Sequence, residues 1–262
     1  MLGLVQGERL NDGLSVTAVG DGPPLVTLPG LGQGADLVTR VPRSAAVPAT
    51  ALARGLGRTV HLVHRPVDPP AGMTVADLAG WHATALRERF GEAVDVMGTS
   101  AGGVTALQLA LDHPGTVRRL VICAAASRVG THGRQEMARM VALERDGRSV
   151  AGIASGLLAH GPLRLLLFAA FSLSRGRARE PGEAALVAAV QEWDVTDRLG
   201  ELDLPVLVVG GGRDRLIPPD LVRATVEGIR DARLLLLAGR GHASVLFDRR
   251  VKPAIQGFLA DS

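Results

Sequence analysis

Cysteine is almost missing from this chain. Cys123 is its single copy, so no internal disulfide can form and no cysteine cluster can hold a metal. Its neighbours Val121, Ile122 and Ala124 are apolar, which predicts a small buried side chain and not a reactive thiol. Tyrosine does not occur and aromatics make up 3%, so the stacking rings used by nucleic-acid binders are not supplied. Lysine occurs once, as Lys252, among 29 basic residues. The others are arginines, which stay charged far above neutral pH; a pI near 10.2 therefore coexists with a formal net charge of +3. They are scattered along the sequence, which excludes a clustered nucleic-acid footprint. Long apolar runs are also lacking. The most apolar window, Gly156 to Leu173, is interrupted by His160, Pro162 and Arg164, and the remainder is too short to span a bilayer. Met1 to Gly13 carries no basic stretch followed by an apolar core. The expectation is a soluble, cytoplasmic protein with no membrane or nucleic-acid partner.

What is present is aliphatic. Hydrophobic residues are 47% and charged residues 21% of 262, enough to bury a substantial core and to exclude general disorder. Short β-branched or aliphatic runs alternate with longer amphipathic stretches, the pattern of a mostly parallel β-sheet flanked by helices, an α/β fold. Val5 to Asn11 and Leu14 to Val19 predict an opening hairpin around Asp12-Gly13. Further strands are expected at Leu25 to Leu28, Thr59 to Val63, Ala93 to Met97, Arg119 to Ala124, Pro205 to Val209 and Arg233 to Leu237. Helices are expected at Val75 to Phe90, Ala101 to Asp112, Pro219 to Gly228 and Ser244 to Leu259. From Arg128 to Trp193 only helical stretches occur: Gln135 to Arg145, Ser149 to Ala159, Leu163 to Leu173 and Pro181 to Trp193. The domain reading is a core of residues 1–127 and 194–262, with a helical cap inserted at 128–193. Such insertions cover sites at the carboxyl ends of strands.

The chemistry begins at Gly98-Thr99-Ser100-Ala101-Gly102, between a strand and a helix. On such a turn a serine is held in a strained conformation that lifts its hydroxyl into the open, and the small flanking residues avoid clashes. Serine needs a base, and the base an orienting acid. Of seven histidines, His61 lies in a strand, His82 on a helix, His113 near a helix end, and His132 and His160 in the insertion; packing or surface roles fit these. His61 and His64 are three apart on a strand and point to opposite faces, so they cannot share a metal. His242 instead follows a strand through Gly239-Arg240-Gly241, a loop able to present it at the sheet's carboxyl edge. Asp214 follows a strand through Gly210-Gly211-Gly212-Arg213 and reaches the same edge. Asp194, Asp197, Asp203 and Asp220 read as caps or solvated charges. The catalytic assignment is Ser100, Asp214 and His242. No metal site, Walker sequence or correctly spaced dinucleotide loop is found.

The order Ser, Asp, His, together with Leu28-Pro29-Gly30-Leu31-Gly32, Gly98 to Gly103, His113 to Val121, Gly212-Arg213-Asp214 and Gly239 to His242, resembles the α/β-hydrolase fold family, in particular its lidded serine esterases and lactonases. The resemblance covers nearly the whole chain outside the insertion. It implies an oxyanion hole of two backbone amides, Ala101 after the nucleophile and Leu31 in the earlier loop. The family's usual histidine before that glycine is absent, with Pro29 in its place, so how the loop is held differs here. The expected activity is cleavage of a carboxylic ester or lactone of a small, largely apolar substrate through an acyl-enzyme, without a cofactor. The alternatives are a thioesterase on carrier-bound acyl chains, a carbon–carbon hydrolase or a haloperoxidase/perhydrolase of the same fold. A ligand-binding, receptor-like protein is the non-enzymatic alternative. Leu157, Leu158, Leu163, Leu165 to Phe168, Phe171 and Leu173 either line an apolar pocket or pack the cap onto the core. Arg164, Arg175, Arg177 and Arg179 either meet a substrate anion or lie in solvent.

Overall fold

In the computed structural model the described residues are 7–31, 43–173 and 181–260; Gly32, Gly34, Arg175, Arg177 and Arg179 lie outside them. Eight strands form one sheet: β1 (Glu8–Arg9), β2 (Ser15–Val19), β3 (Pro24–Leu28), β4 (Thr59–His64), β5 (Val94–Thr99), β6 (Val117–Cys123), β7 (Val206–Gly211) and β8 (Ala232–Leu237). Their spatial order is β1-β2-β4-β3-β5-β6-β7-β8. β1 and β2 pair antiparallel, and β2 runs antiparallel to β4; β3 through β8 are mutually parallel. The hairpin between β1 and β2 turns at Asp12 and Gly13, whose φ values are 56° and 73°.

The central strands are apolar on both sides because both faces of the sheet are covered. In β6, Leu120 and Ile122 join one core while Val121 and Cys123 join the other; in β7, Val206 and Val208 alternate in the same way with Leu207 and Val209. The first core is closed by α2 (Val75–Phe90), α3 (Ala101–Asp112) and α8 (Pro219–Gly228). The second is closed by α1 (Arg43–Leu56) and α9 (Val251–Ala260). α2 begins at a capping box, in which Thr74 Oγ1 accepts from the Asp77 amide and Asp77 accepts from the Thr74 amide. It ends at Gly91, whose φ of 69° suits the left-handed cap.

Two helices depart from expectation. α1 lies where no helix is expected and carries Pro48 within it; Ala49, Ala53 and Leu56 bury it against the sheet. The single helix expected over Ser244 to Leu259 is split into a short 3-10 turn, Ser244–Phe247, and α9. Asp248 makes the break: its carboxylate accepts from the Arg250 amide at 3.0 Å and from the Arg240 and Arg250 guanidinium groups at 2.8 Å. An aspartate bonded to its own neighbouring backbone competes with helix continuation.

Between β6 and β7 the described residues hold α4 (Thr131–Arg145), α5 (Ala151–Leu158), α6 (Gly161–Leu173) and α7 (Pro181–Glu192). The two ends of this segment lie side by side. The Val195 amide donates to the Ser127 carbonyl at 3.0 Å, and Arg128 faces Asp194 across an ion pair of 3.7 Å. α7 packs Leu186, Val187 and Val190 into the first core. On α6, by contrast, Leu165 is 71% and Leu166 68% exposed, so these two neither pack onto the core nor line an enclosed pocket. No helix among the described residues is long and apolar enough to cross a membrane.

Candidate active site

Ser100 stands between the end of β5 and the first residue of α3, with φ 52° and ψ −121°, a conformation that costs a non-glycine residue of the order of 1–3 kcal/mol. The surroundings hold it there. Its amide donates to the Cys123 carbonyl at 2.8 Å, and its carbonyl accepts from the Gly103 and Val104 amides at 2.8 and 3.1 Å. The flanking glycines are needed for closeness. A Cβ on Gly98 would lie 2.4 Å from the Gly102 carbonyl oxygen, and one on Gly102 would lie 2.0 Å from the Leu28 oxygen. Cys123 contributes only its backbone; burial pushes its thiol up to about 12.

His242 and Asp214 arrive on loops after β8 and β7 that are tied together. The Gly212 amide donates to the Leu237 carbonyl at 2.9 Å, and the Arg213 amide to the Arg240 carbonyl at 2.8 Å. A Cβ on Gly211 would come within 2.6 Å of the Arg240 oxygen, so the glycine run allows the two loops to touch. Asp214 Oδ1 accepts from the Leu216 and Ile217 amides at 2.8 and 2.9 Å, leaving Oδ2 facing His242 Nδ1 at 2.8 Å. A carboxylate only accepts, so Nδ1 carries the proton and Nε2 is left as an acceptor. Nε2 lies 2.9 Å from Ser100 Oγ. Both His242 and Asp214 are buried. The three residues assigned from sequence thus form one continuous relay, oriented so that the hydroxyl can give its proton to imidazole.

The two expected oxyanion donors lie next in sequence to Ser100 and to its neighbour Gly30. Ala101 follows it at the start of α3, where free amides and the helix dipole favour negative charge. Leu31 follows Gly30, whose missing side chain would stand 3.2 Å from Ser100 Cβ and 3.1 Å from the Thr99 oxygen. Three of the other histidines have their partners outside the relay. His61 meets Phe90 edge-on at 5.0 Å, and His82 Nδ1 lies 2.7 Å from the Leu78 carbonyl oxygen. His132 Nε2 faces Arg215 at 3.0 Å.

Two contacts at the site were not legible from sequence. The helical segment between β6 and β7 touches the loops of the relay: the Ala243 amide donates to the Leu158 carbonyl at 2.8 Å, and His160 Nε2 lies 2.6 Å from the Arg213 oxygen. Arg65, just after β4, donates from Nη1 to the Gly30 carbonyl at 3.3 Å. The only hint of either was position, near the carboxyl ends of strands. Among the described residues no group of acidic, histidine or cysteine side chains could hold a metal ion.

The sheet order, the strained serine turn and the edge to which all three residues converge are those of an α/β-hydrolase. The chain belongs to the family described as serine aminopeptidase, S33, whose model matches residues 53–249. Among curated proteins it is 29% identical over 215 residues to RutD of Variovorax paradoxus, assigned as a carbamate hydrolase, covering 79% of each chain. It is 28% identical over 177 residues to the pimeloyl-[acyl-carrier protein] methyl ester esterase of Neisseria meningitidis, covering 63% of this chain and 68% of that one. Among solved structures, the enol-lactonase from Burkholderia xenovorans superposes with a TM-score of 0.74 at 19% identity, over 97% of this chain and 100% of that chain. That last likeness is one of fold.

Proposed function

We propose that this protein is a serine hydrolase that cleaves a carboxylic ester or lactone by two-step acyl transfer. The observation that carries the reading is the relay of 2.9 and 2.8 Å from Ser100 through His242 to Asp214. His242 Nε2 takes the hydroxyl proton as Ser100 Oγ bonds to the carbonyl carbon, and the carbonyl electron pair moves to oxygen. The Leu31 and Ala101 amides receive that oxyanion. Asp214 keeps the imidazole in the required tautomer and stabilises it once protonated. His242 then gives the proton to the departing alkoxide, leaving an acyl-Ser100 ester. Water, deprotonated by the same nitrogen, attacks this ester and releases the acid. A pure binder has no physical need for all three groups in this geometry, which weighs against the receptor-like reading.

The test is a panel of short-chain p-nitrophenyl esters, δ-lactones, acyl thioesters, an alkyl carbamate and a β-diketone. Saturable turnover of the esters or lactones, abolished in Ser100→Ala, is expected. Turnover confined to the thioesters, the carbamate or the diketone would replace the ester assignment, and ligand-induced thermal stabilisation without any turnover would favour a binder.

A further inference from the structure

The side chains of Pro29 and Gly30 offer no polar anchor to the peptide that carries Leu31. Pro29 has no amide hydrogen and no polar side chain, and Gly30 has no side chain at all. On the hydrolase reading, the peptide that joins Gly30 to Leu31 must be held by groups other than these two side chains. β3 and β4 are adjacent parallel strands, with Thr27 opposite Leu62, so the residues just beyond their ends are brought side by side. There Arg65, buried to 8% exposure, donates from Nη1 to the Gly30 carbonyl. A trans peptide is planar, so its C=O and the N–H of the next residue point in opposite directions. Holding the Gly30 oxygen on one side fixes the Leu31 amide hydrogen on the other.

We propose that Arg65 is the positioning residue of the oxyanion hole, holding the Gly30–Leu31 peptide so that the Leu31 amide faces the oxygen that forms above Ser100. The proposal rests on the hydrolase reading and extends it to the group that replaces self-support in the Pro29-Gly30 loop. Gly30 supplies the other half of the geometry, because it packs directly against Ser100. The guanidinium also polarises the peptide it binds, which makes the Leu31 amide a better donor. Arg65 lines a small pocket together with Leu28, Pro29, His82, Thr105 and Leu186. His82 at its wall is neutral near pH 7, since burial lowers its pKa to about 4, so it does not repel the guanidinium.

The test compares phosphonylation of Ser100 by a fluorophosphonate in wild type, Arg65→Met and Arg65→Lys, with rates taken over a range of reagent concentrations. The phosphoryl oxygen occupies the hole as the adduct forms, so the maximal rate reports the hole while KI reports ground-state binding. Deleting a hole donor outright costs about 10²–10³. Because the Leu31 amide remains, Arg65→Met is expected to lose about 10–100-fold in the maximal rate, with KI within about twofold. Arg65→Lys, which keeps a cationic donor, is expected to recover part of that loss. If Arg65→Met does not fold, a maximal rate in folded Arg65→Lys equal to wild type overturns the proposal, and a reduced rate at unchanged KI supports it. A purely structural arginine would lower the melting temperature and leave the maximal rate per folded molecule unchanged; that result overturns the proposal while leaving the hydrolase reading intact. A wild type that is not labelled at all sinks both.

Discussion

Two aspartates are buried at opposite ends of the same sheet, and their partners differ. Asp95, near the amino end of β5, is wholly buried and meets three arginines: Arg58 at 2.9 Å, Arg118 at 2.9 Å and Arg119 at 3.7 Å. Asp214, beyond the carboxyl end of β7, meets two backbone amides and one histidine. Guanidinium groups do not lose their protons in proteins, so the charge state around Asp95 is fixed and the cluster can only staple strands and termini together. Arg58 also donates to the Leu259 carbonyl at 2.6 Å, joining that staple to α9. Around Asp214 the amides fix one carboxylate oxygen, and the other faces an imidazole whose far nitrogen lies against Ser100. On the proposed mechanism the same buried residue type serves stability at one edge and proton transfer at the other, according to whether its partners are all guanidinium groups or include an imidazole.

Replacing each aspartate by asparagine should separate the two roles. Asp214→Asn should lower kcat by about 10⁴ while the protein stays folded, because the amide no longer enforces the tautomer. Asp95→Asn should do the reverse, costing about 1.5–3 kcal/mol of stability, because a wholly buried carboxylate loses its charge-assisted bonds to the partly exposed Arg58, Arg118 and Arg119. Its kcat per folded molecule should stay close to wild type. Urea denaturation and steady-state kinetics on both variants check this. Equal effects on stability and rate in the two would break the comparison.

A smaller effect concerns protons bound elsewhere. Burial lowers His64 and His82 to about 4, against an ordinary value of 6.5; the neighbouring Arg65 charge adds to the shift at His64. The unfolded chain takes up protons at these residues below pH 6.5 while the folded chain does not. Their contribution to stability is full above that pH and is lost progressively between about 6.5 and 4, by about 1.4 kcal/mol per pH unit for each histidine. Urea midpoints measured across this range should fall with acid, and His82→Gln should make the slope shallower. An unchanged slope would mean that His82 is protonated in the fold.

Much of this was readable in the sequence where local signals agree with tertiary ones. Val75 to Phe90 stands as expected because Thr74, Asp77 and Gly91 mark both ends. The serine turn is marked by glycines whose replacement would strike backbone within 2.0–2.4 Å. Asp214 and His242 were legible because glycine-rich loops after strands have a defined destination, the carboxyl edge. Illegible features depend on who stands beside whom. Arg65 reaches Gly30 only because β4 inserts between β2 and β3, and no local pattern specifies that order. α1 forms in spite of Pro48 because the second core covers its alanines.

The most direct test of the relay is intact-mass analysis after fluorophosphonate treatment of wild type, Ser100→Ala and His242→Ala. The account predicts one adduct per chain in wild type, none in Ser100→Ala and a sharply slowed reaction in His242→Ala. A folded wild type that takes up no reagent, or an adduct that persists in Ser100→Ala, would contradict it.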